Sequence, residues 1–240
     1  MNRTVLITGA AVRIGRAIAE NLARKGWDAV VHAHRSTAEA ETLCAHLRTL
    51  GPRAWCVAGD LLSPAGPDAV FEAALSAAGH LDALVNNASQ FARQSLHSAA
   101  AEDIERLWRI NALAPIRLTQ LLARHLADRG ATGCAVNLLD QRVAHAAGPN
   151  ATPYLLSKKA LEAFTLSAAL EFAPTLRVNA VAPGAVLLPV APNAKEPAGP
   201  FPLRERPSAD QVAEAVAYLL DASAVTGQIL FVDGGQHLLS

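Results

Sequence analysis

The stretch "TVLITGAAVRIGRAIAENLARKG" (Thr4–Gly26) decides the fold. The run Thr4–Thr8 reads as a buried strand, a glycine turn follows it, and a helix-spaced apolar pattern runs on to Gly26. Gly9 allows the tight turn and Gly15 the close packing of the helix, whose amino end offers free N–H groups to a phosphate. A glycine pattern is weak by itself; its place after a first strand is what gives it meaning. Arg13 and Ile14 stand between the two glycines, where such turns often carry a third glycine.

Outward from this unit, strand-like and helix-like segments alternate. "DAVVHAH" (28–34), "RAWCVAGDL" ending near Asp60, "LDALVNNAS", "GCAVNLLD", "LRVNAVAPG" and "QILFVDGG" read as strands. Helices fall between them, including a long one over 99–128 expected to bend near Pro115. Ser208 and Gln211 have capping-box spacing ahead of another helix. Apolar strands separated by helices imply an α/β doubly wound parallel sheet of about seven strands, covered on both faces. Prolines crowd residues 183–207, which reads as a loop, short enough to be a lid within one domain spanning 1–240.

Lys plus Arg and Asp plus Glu are 21 each, so nothing points to a nucleic-acid or anionic-membrane surface. No apolar run is long enough for a bilayer, and no leader pattern precedes the first strand, so a cytoplasmic protein is expected. Cys44, Cys56 and Cys134 lack zinc-like spacing and read as buried free thiols. His32 and His34 point the same way on a strand without a third ligand, so no metal is expected. Core packing suits His32, and a strand-end place near an adenosine ribose suits His34.

In such sheets ligands bind beyond the carboxyl ends of the strands. An acid about 20 residues past the glycine turn would mark a free ribose 2′-hydroxyl. Here that region reads His34, Arg35, Ser36, with no carboxylate between Ala29 and Ala38. Arg13, Arg35 and the Ser36 hydroxyl suit a 2′-phosphate, so NADP(H) is the expected cofactor. Tyr154 and Lys158 lie one helical turn apart. A cation about 4 Å from a phenol favours its phenolate by roughly 4 kcal/mol gross, or about three pKa units from the usual value near 10. That would make Tyr154 a usable general acid.

With "TGAAVRIG", "GDL", "NNAS", "INALAP", "YLLSK", "VNAVAPG" and "TGQILFVDGG" in place, the chain resembles the short-chain dehydrogenase/reductase family over nearly its whole length. The resemblance implies Tyr154 as proton donor, Lys158 on the nicotinamide ribose, and Asn111 completing a proton relay through water. It also implies that Asp60, Leu61, Asn87, Ala88, Pro183 and Gly184 line the cofactor. The usual serine after the fifth strand is replaced by Asp140. Together with Arg13, "HRS" at 34–36, Ser89 and Phe91, this resembles the pteridine reductase subgroup. There, the phenylalanine stacks a pterin ring and the aspartate assists the tyrosine. Asp140 precedes Tyr154 by one residue more than is typical, so Gln141 is the alternative residue facing the site.

The leading expectation is therefore an NADPH-dependent reductase acting on a C=N bond of a pteridine or folate-like ring. A carbonyl reductase or alcohol dehydrogenase of the same family is the alternative, and a nonenzymatic NADP(H) sensor a further one. Leu113, Ile116, Leu121, Leu161, Phe164 and Leu170 lie on helices through which similar family members often form tetramers, so a homotetramer is expected.

Overall fold

The computed structural model describes residues 2–145, 150–186 and 200–239. Its elements run β1 (Thr4–Ile7), α1 (Arg13–Arg24), β2 (Asp28–Ala33), α2 (Thr37–Thr49), β3 (Ala54–Ala58), α3 (Gly66–Ala78) and β4 (Ala83–Asn86). Then come α4 (Ala101–Trp108), a π-turn (Arg109–Leu113), α5 (Ala114–Asp128), β5 (Gly133–Leu138), a short 3-10 turn (Gln141–Ala144), α6 (Thr152–Glu171), β6 (Leu176–Pro183), α7 (Ala209–Asp221) and β7 (Ile229–Val232). All the strands pair in parallel, in the order β3-β2-β1-β4-β5-β6-β7. The order reverses direction between β1 and β4, which opens a crevice at their carboxyl ends.

β1 shows why the strands carry no polar face. Successive side chains point to opposite sides. Val5 and Ile7 pack with Ile18 and Leu22 of α1, Leu43 of α2 and Val216 of α7. Leu6 packs on the other side with Phe71 of α3 and Leu118 and Leu122 of α5. Each such fully buried aliphatic side chain contributes about 1.5–3 kcal/mol. An uninterrupted apolar strand is thus what two helical layers require.

One polar chain crosses the buried sheet. Asn86 on β4 is registered against Asn137 on β5 and donates to its Oδ1 at 2.8 Å. Asn137 in turn donates to Thr165 of α6 at 2.9 Å, and Asn86 to Thr119 of α5 at 3.2 Å.

Four expectations need correction. The long helix over 99–128 is interrupted by the π-turn ahead of Pro115, where the Ala114 N–H reaches back to the Arg109 carbonyl. Proline has no N–H for the carbonyl four residues earlier, so the irregularity falls before it. Pro183 is the last residue of β6, so the irregular segment starts one residue later; most of it, 187–199, lies outside the described residues. Cys56 is exposed on edge strand β3, while Cys44 and Cys134 are buried. β1 ends at Ile7, leaving Thr8 to start the turn. The Ser208–Gln211 capping box is present in both directions, at 3.1 and 2.8 Å. No helix among the described residues is long and apolar enough to cross a membrane.

Candidate active site

A cavity of about 500 Å³ opens where the strand order reverses. Its wall includes Gly9, Arg13, Ile14, Gly15, His34, Asp60, Leu61, Asn87, Ala88, Ser89, Phe91, Asp140, Tyr154, Lys158, Pro183 and Gly184. Sixteen of the residues singled out from sequence therefore meet in one place, from positions far apart in the chain. Arg35, Ser36 and Asn111 do not line it. Arg35 is exposed just past β2, and Ser36 is the residue immediately before α2.

At one end, the glycine turn is built for close approach. Gly9 adopts φ +61°, and a Cβ on Gly15 would stand 2.4 Å from the Gly9 carbonyl oxygen and 2.6 Å from Asn87 Nδ2. The first turn of α1 carries no acid, and Val12 gives it no side-chain cap. Its orphan N–H groups thus face the cavity with a positive partial charge, the arrangement a pyrophosphate needs. These residues fit a dinucleotide. Arg13 adopts φ +58°, a left-handed conformation that costs a side-chain-bearing residue about 1–2 kcal/mol. It occupies the glycine-like backbone position that the sequence leaves to an arginine.

Core packing is what the sequence suggests for His32, and it is buried, but its ring also braces this turn. Nδ1 accepts the Gly9 N–H at 3.2 Å, which leaves Nε2 to donate to the Gly59 carbonyl at 3.1 Å. Burial lowers its pKa, in keeping with a neutral ring that can accept. The signal in the sequence was a histidine inside an apolar strand two residues before the strand end. Thr8 Oγ1 accepts from the N–H groups of Asn87 and Ala88 at 3.0 Å each, tying the turn to the end of β4. His34 Nδ1 stands 3.8 Å from Asp60 Oδ1 at the rim.

At the other end Asp140, not Gln141, faces the site. The Tyr154 hydroxyl donates to Asp140 Oδ2 at 3.1 Å. Arg142 grips the same carboxylate with Nε on Oδ1 at 2.9 Å and Nη2 on Oδ2 at 2.8 Å, while its backbone N–H donates to Oδ1 at 3.0 Å. Asp140 therefore caps the short turn it begins. Burial works to raise its pKa, but the Arg142 hydrogen bonds and charge outweigh that and hold the carboxyl below its usual range. Tyr154 is pushed well above the usual phenol value, first by burial and then by the Asp140 charge. Arg142 was missed from sequence; an Asp-x-Arg at the end of a strand was the available signal.

Lys158 departs from expectation. Its Nζ donates to the Leu138 carbonyl at 2.7 Å and stands 6.0 Å from the Tyr154 ring centroid. Burial takes its pKa down to about 8. The ammonium is anchored to the backbone, and burial with the Asp140 charge raises the phenol rather than lowering it. Phe91 is 54% exposed, which excludes core packing, and meets Tyr154 edge-on at 4.9 Å between centroids.

Asn111 sits behind the wall, fully buried in the π-turn. Its Oδ1 accepts from Ser89 Oγ at 2.9 Å and the Gln90 N–H at 3.0 Å; Nδ2 donates to the Gln90 carbonyl at 2.9 Å and Ser157 Oγ at 3.0 Å. It ties the loop after β4 to α6.

Comparison with known proteins agrees with this geometry. The family described as Enoyl-(Acyl carrier protein) reductase matches residues 9–237. The chain is 35% identical to "Granaticin polyketide synthase putative ketoacyl reductase 2" of Streptomyces violaceoruber, covering 98% of this chain and 96% of that one. It is 34% identical to "Pteridine reductase 1" of Leishmania tarentolae, covering 97% and 96%. The solved structure of FolM alternative dihydrofolate reductase 1 from Brucella suis in complex with NADP superimposes with a TM-score of 0.90 at 33% identity, covering 98% and 95%. An uncapped glycine turn, a tyrosine–lysine helix at the opposite end of one crevice, and these likenesses place the chain in the short-chain dehydrogenase/reductase family of nicotinamide-dependent oxidoreductases.

Proposed function

We propose that the chain is a single-unit NADPH-dependent reductase of a C=N bond in a pteridine or folate-like ring. The observation that carries this reading is the Tyr154–Asp140 hydrogen bond at 3.1 Å beside the exposed ring of Phe91. A bound nicotinamide cofactor supplies the hydride. The Gly9–Gly15 turn and the start of α1 hold its pyrophosphate; Arg13, His34, Arg35 and Ser36 serve the 2′-phosphate end. Asp60, Leu61, Asn87, Ala88, Pro183 and Gly184 border it, and Lys158 serves the ribose beside Tyr154. The NADP bound in the solved Brucella suis relative supports the choice of cofactor.

The chain's own groups do the proton work. Tyr154 holds the proton to be donated; burial and the Asp140 charge raise its pKa in the ligand-free protein, and donation calls for a cation such as Lys158 to offset them. The ionised Asp140 orients that hydroxyl by accepting from it. A C=N nitrogen needs protonation before it accepts hydride well, and Tyr154 is the group beside which it would lie. Phe91 offers a flat apolar face to an aromatic ring. Ser89 lines the same wall, and Asn111 holds it in place through Ser89 and Gln90.

Steady-state NADPH oxidation with dihydropterin and dihydrofolate against a panel of ketones tests the reading. We expect kcat/KM for a dihydropterin to exceed that of every ketone by at least about ten-fold, some 1.4 kcal/mol of transition-state preference. Activity confined to ketones overturns it in favour of a carbonyl reductase, the reading that the 35% identity to a ketoacyl reductase supports.

We also propose self-association as a homotetramer. Ile104, Trp108, Leu113, Leu156, Leu166 and Leu170 of the α4–α6 region are exposed. Leu161 is buried, and Leu121 and Phe164 pack against the core instead. Light scattering is expected to give four times the 25.1 kDa chain mass; a monomer alone overturns the proposal.

A further inference from the structure

We propose that Arg142 is a positioning residue of the site, one that fixes Asp140 as a carboxylate aimed at the Tyr154 hydroxyl and holds the Phe91 and Tyr154 rings at right angles. This rests on the reading of Tyr154 as proton donor and does not depend on which substrate is reduced.

The geometry has three parts. First, both Asp140 oxygens are engaged by the guanidinium fork, at 2.9 and 2.8 Å, so the carboxylate plane is set by Arg142. Only Oδ2 also meets Tyr154. Second, the guanidinium carbon lies 5.4 Å from the Phe91 ring centroid and 5.5 Å from that of Tyr154, between two rings that stand at 82° to each other. A cation this close to two aromatic rings favours keeping both beside it. Third, the turn bearing Arg142 is pinned from α6, where Lys159 Nζ donates to the Val143 carbonyl at 2.7 Å.

Without Arg142 the same buried carboxyl would lose its fork and its compensating charge. A proton would then bind Oδ1 or Oδ2, and Asp140 could donate where it now accepts. The other charged groups near it do not replace the guanidinium. Lys158 is held on the Leu138 carbonyl, Lys159 on Val143, and from the last turn of the chain His237 is paired with Asp233 at 2.8 Å. His145, the residue just after the turn, has Nε2 buried without a hydrogen-bond partner among the described residues.

Carbon-13 NMR titration of aspartate carboxyls in the ligand-free protein tests this, with Asp140→Asn to assign the signal. The wild-type Asp140 signal is expected to titrate below the ordinary value of about 3.9, and to move above it in Arg142→Met. Arg142→Lys restores the charge without the planar fork and should fall between. In turnover, the acid limb of the kcat profile should move up by at least about one pH unit in Arg142→Met, while kcat at pH 8 falls less than at pH 5. A loss equal at every pH, or an Asp140 signal that titrates alike in wild type and variant, overturns the proposal. If Arg142→Met does not fold, Arg142→Gln carries the same comparison, and a wild-type Asp140 titrating at or above about 3.9 overturns the proposal without any variant. The titration needs no substrate, so failure to reduce pterins would strike the substrate reading and leave this inference standing.

Discussion

At the glycine-turn end of the cavity the cations stand open: Arg13 and Arg35 are exposed, and their side chains make no ion pair among the described residues. At the Tyr154 end every charge is already engaged, Arg142 with Asp140, Asp140 with Tyr154, Lys158 with the Leu138 carbonyl. Open cations keep their full attraction for an incoming anion. Closed sets hold a fixed geometry in a low-dielectric pocket, where an unpaired charge would be costly. One end leaves its cations exposed, and the other fixes the Tyr154 hydroxyl on Asp140.

The largest effect should come from the closed end. Tyr154→Phe removes the proton and leaves the ring, so kcat/KM should drop by about 10²–10⁴-fold. Cofactor affinity, measured by fluorescence titration, should stay within about two-fold, a free-energy change below ~0.5 kcal/mol. Retained turnover would break the contrast and favour a nonenzymatic NADP(H) sensor.

At the open end, Arg35→Asp should weaken NADPH binding by about 10–100-fold, the worth of a charge-assisted hydrogen bond. NADH binding should change little. Equal losses would mean that the cations are ordinary surface charges. Arg13→Gly sharpens the test, because it relieves the φ of +58° while removing the charge. It should stabilise the fold in urea while weakening NADPH binding selectively.

The smallest effect concerns Lys158 and is a stability effect. Its folded pKa of about 8 lies below the unfolded value, so between the two the unfolded chain holds the extra proton. Stability contributed by this group is therefore lowest below pH 8 and rises above it, by about 1 kcal/mol between pH 8 and 9. Burial pushes the Cys134 thiol up to about 11, and that opposes the gain at higher pH. Urea midpoints at pH 8 and 9 for wild type and Lys158→Met isolate the lysine: the difference between the two proteins should shrink as pH rises. An unchanged difference would mean that Lys158 keeps its charge in the folded protein at no cost.

The sheet was legible because its strands are apolar on both faces, and the site was legible because polar residues cluster at strand ends. Val5, Leu6 and Ile7 need no tertiary information to read as a buried strand, and Asp140 and Phe91 were found from their places after strands. What sequence could not give was the direction in which long side chains turn. Lys158 and Tyr154 share a helix face, yet the ammonium reaches a backbone carbonyl. Arg35 looks as well placed as Arg13 in sequence, but it stands exposed between β2 and α2, outside the cavity wall that Arg13 helps to form. Arg142 and His32 act through hydrogen bonds to neighbours that only folding brings close. The partners of Asn111 were equally out of reach of sequence: its amide is saturated by Ser89, Gln90 and Ser157.

The two carboxamides facing each other across β4 and β5 carry a consequence for the whole crevice. A shift of one step between these strands would set Asn86 against Val136 or Leu138 and strand its amide in an apolar layer. It would also displace Thr8–Ala88 relative to Asp140 by roughly 3.3 Å and turn each strand's side chains to the wrong layer. Asn86 and Asn137 thus serve as an alignment key beneath the floor, and the spacing between the glycine-turn end and the Tyr154 end is inherited from two buried residues outside the cavity wall.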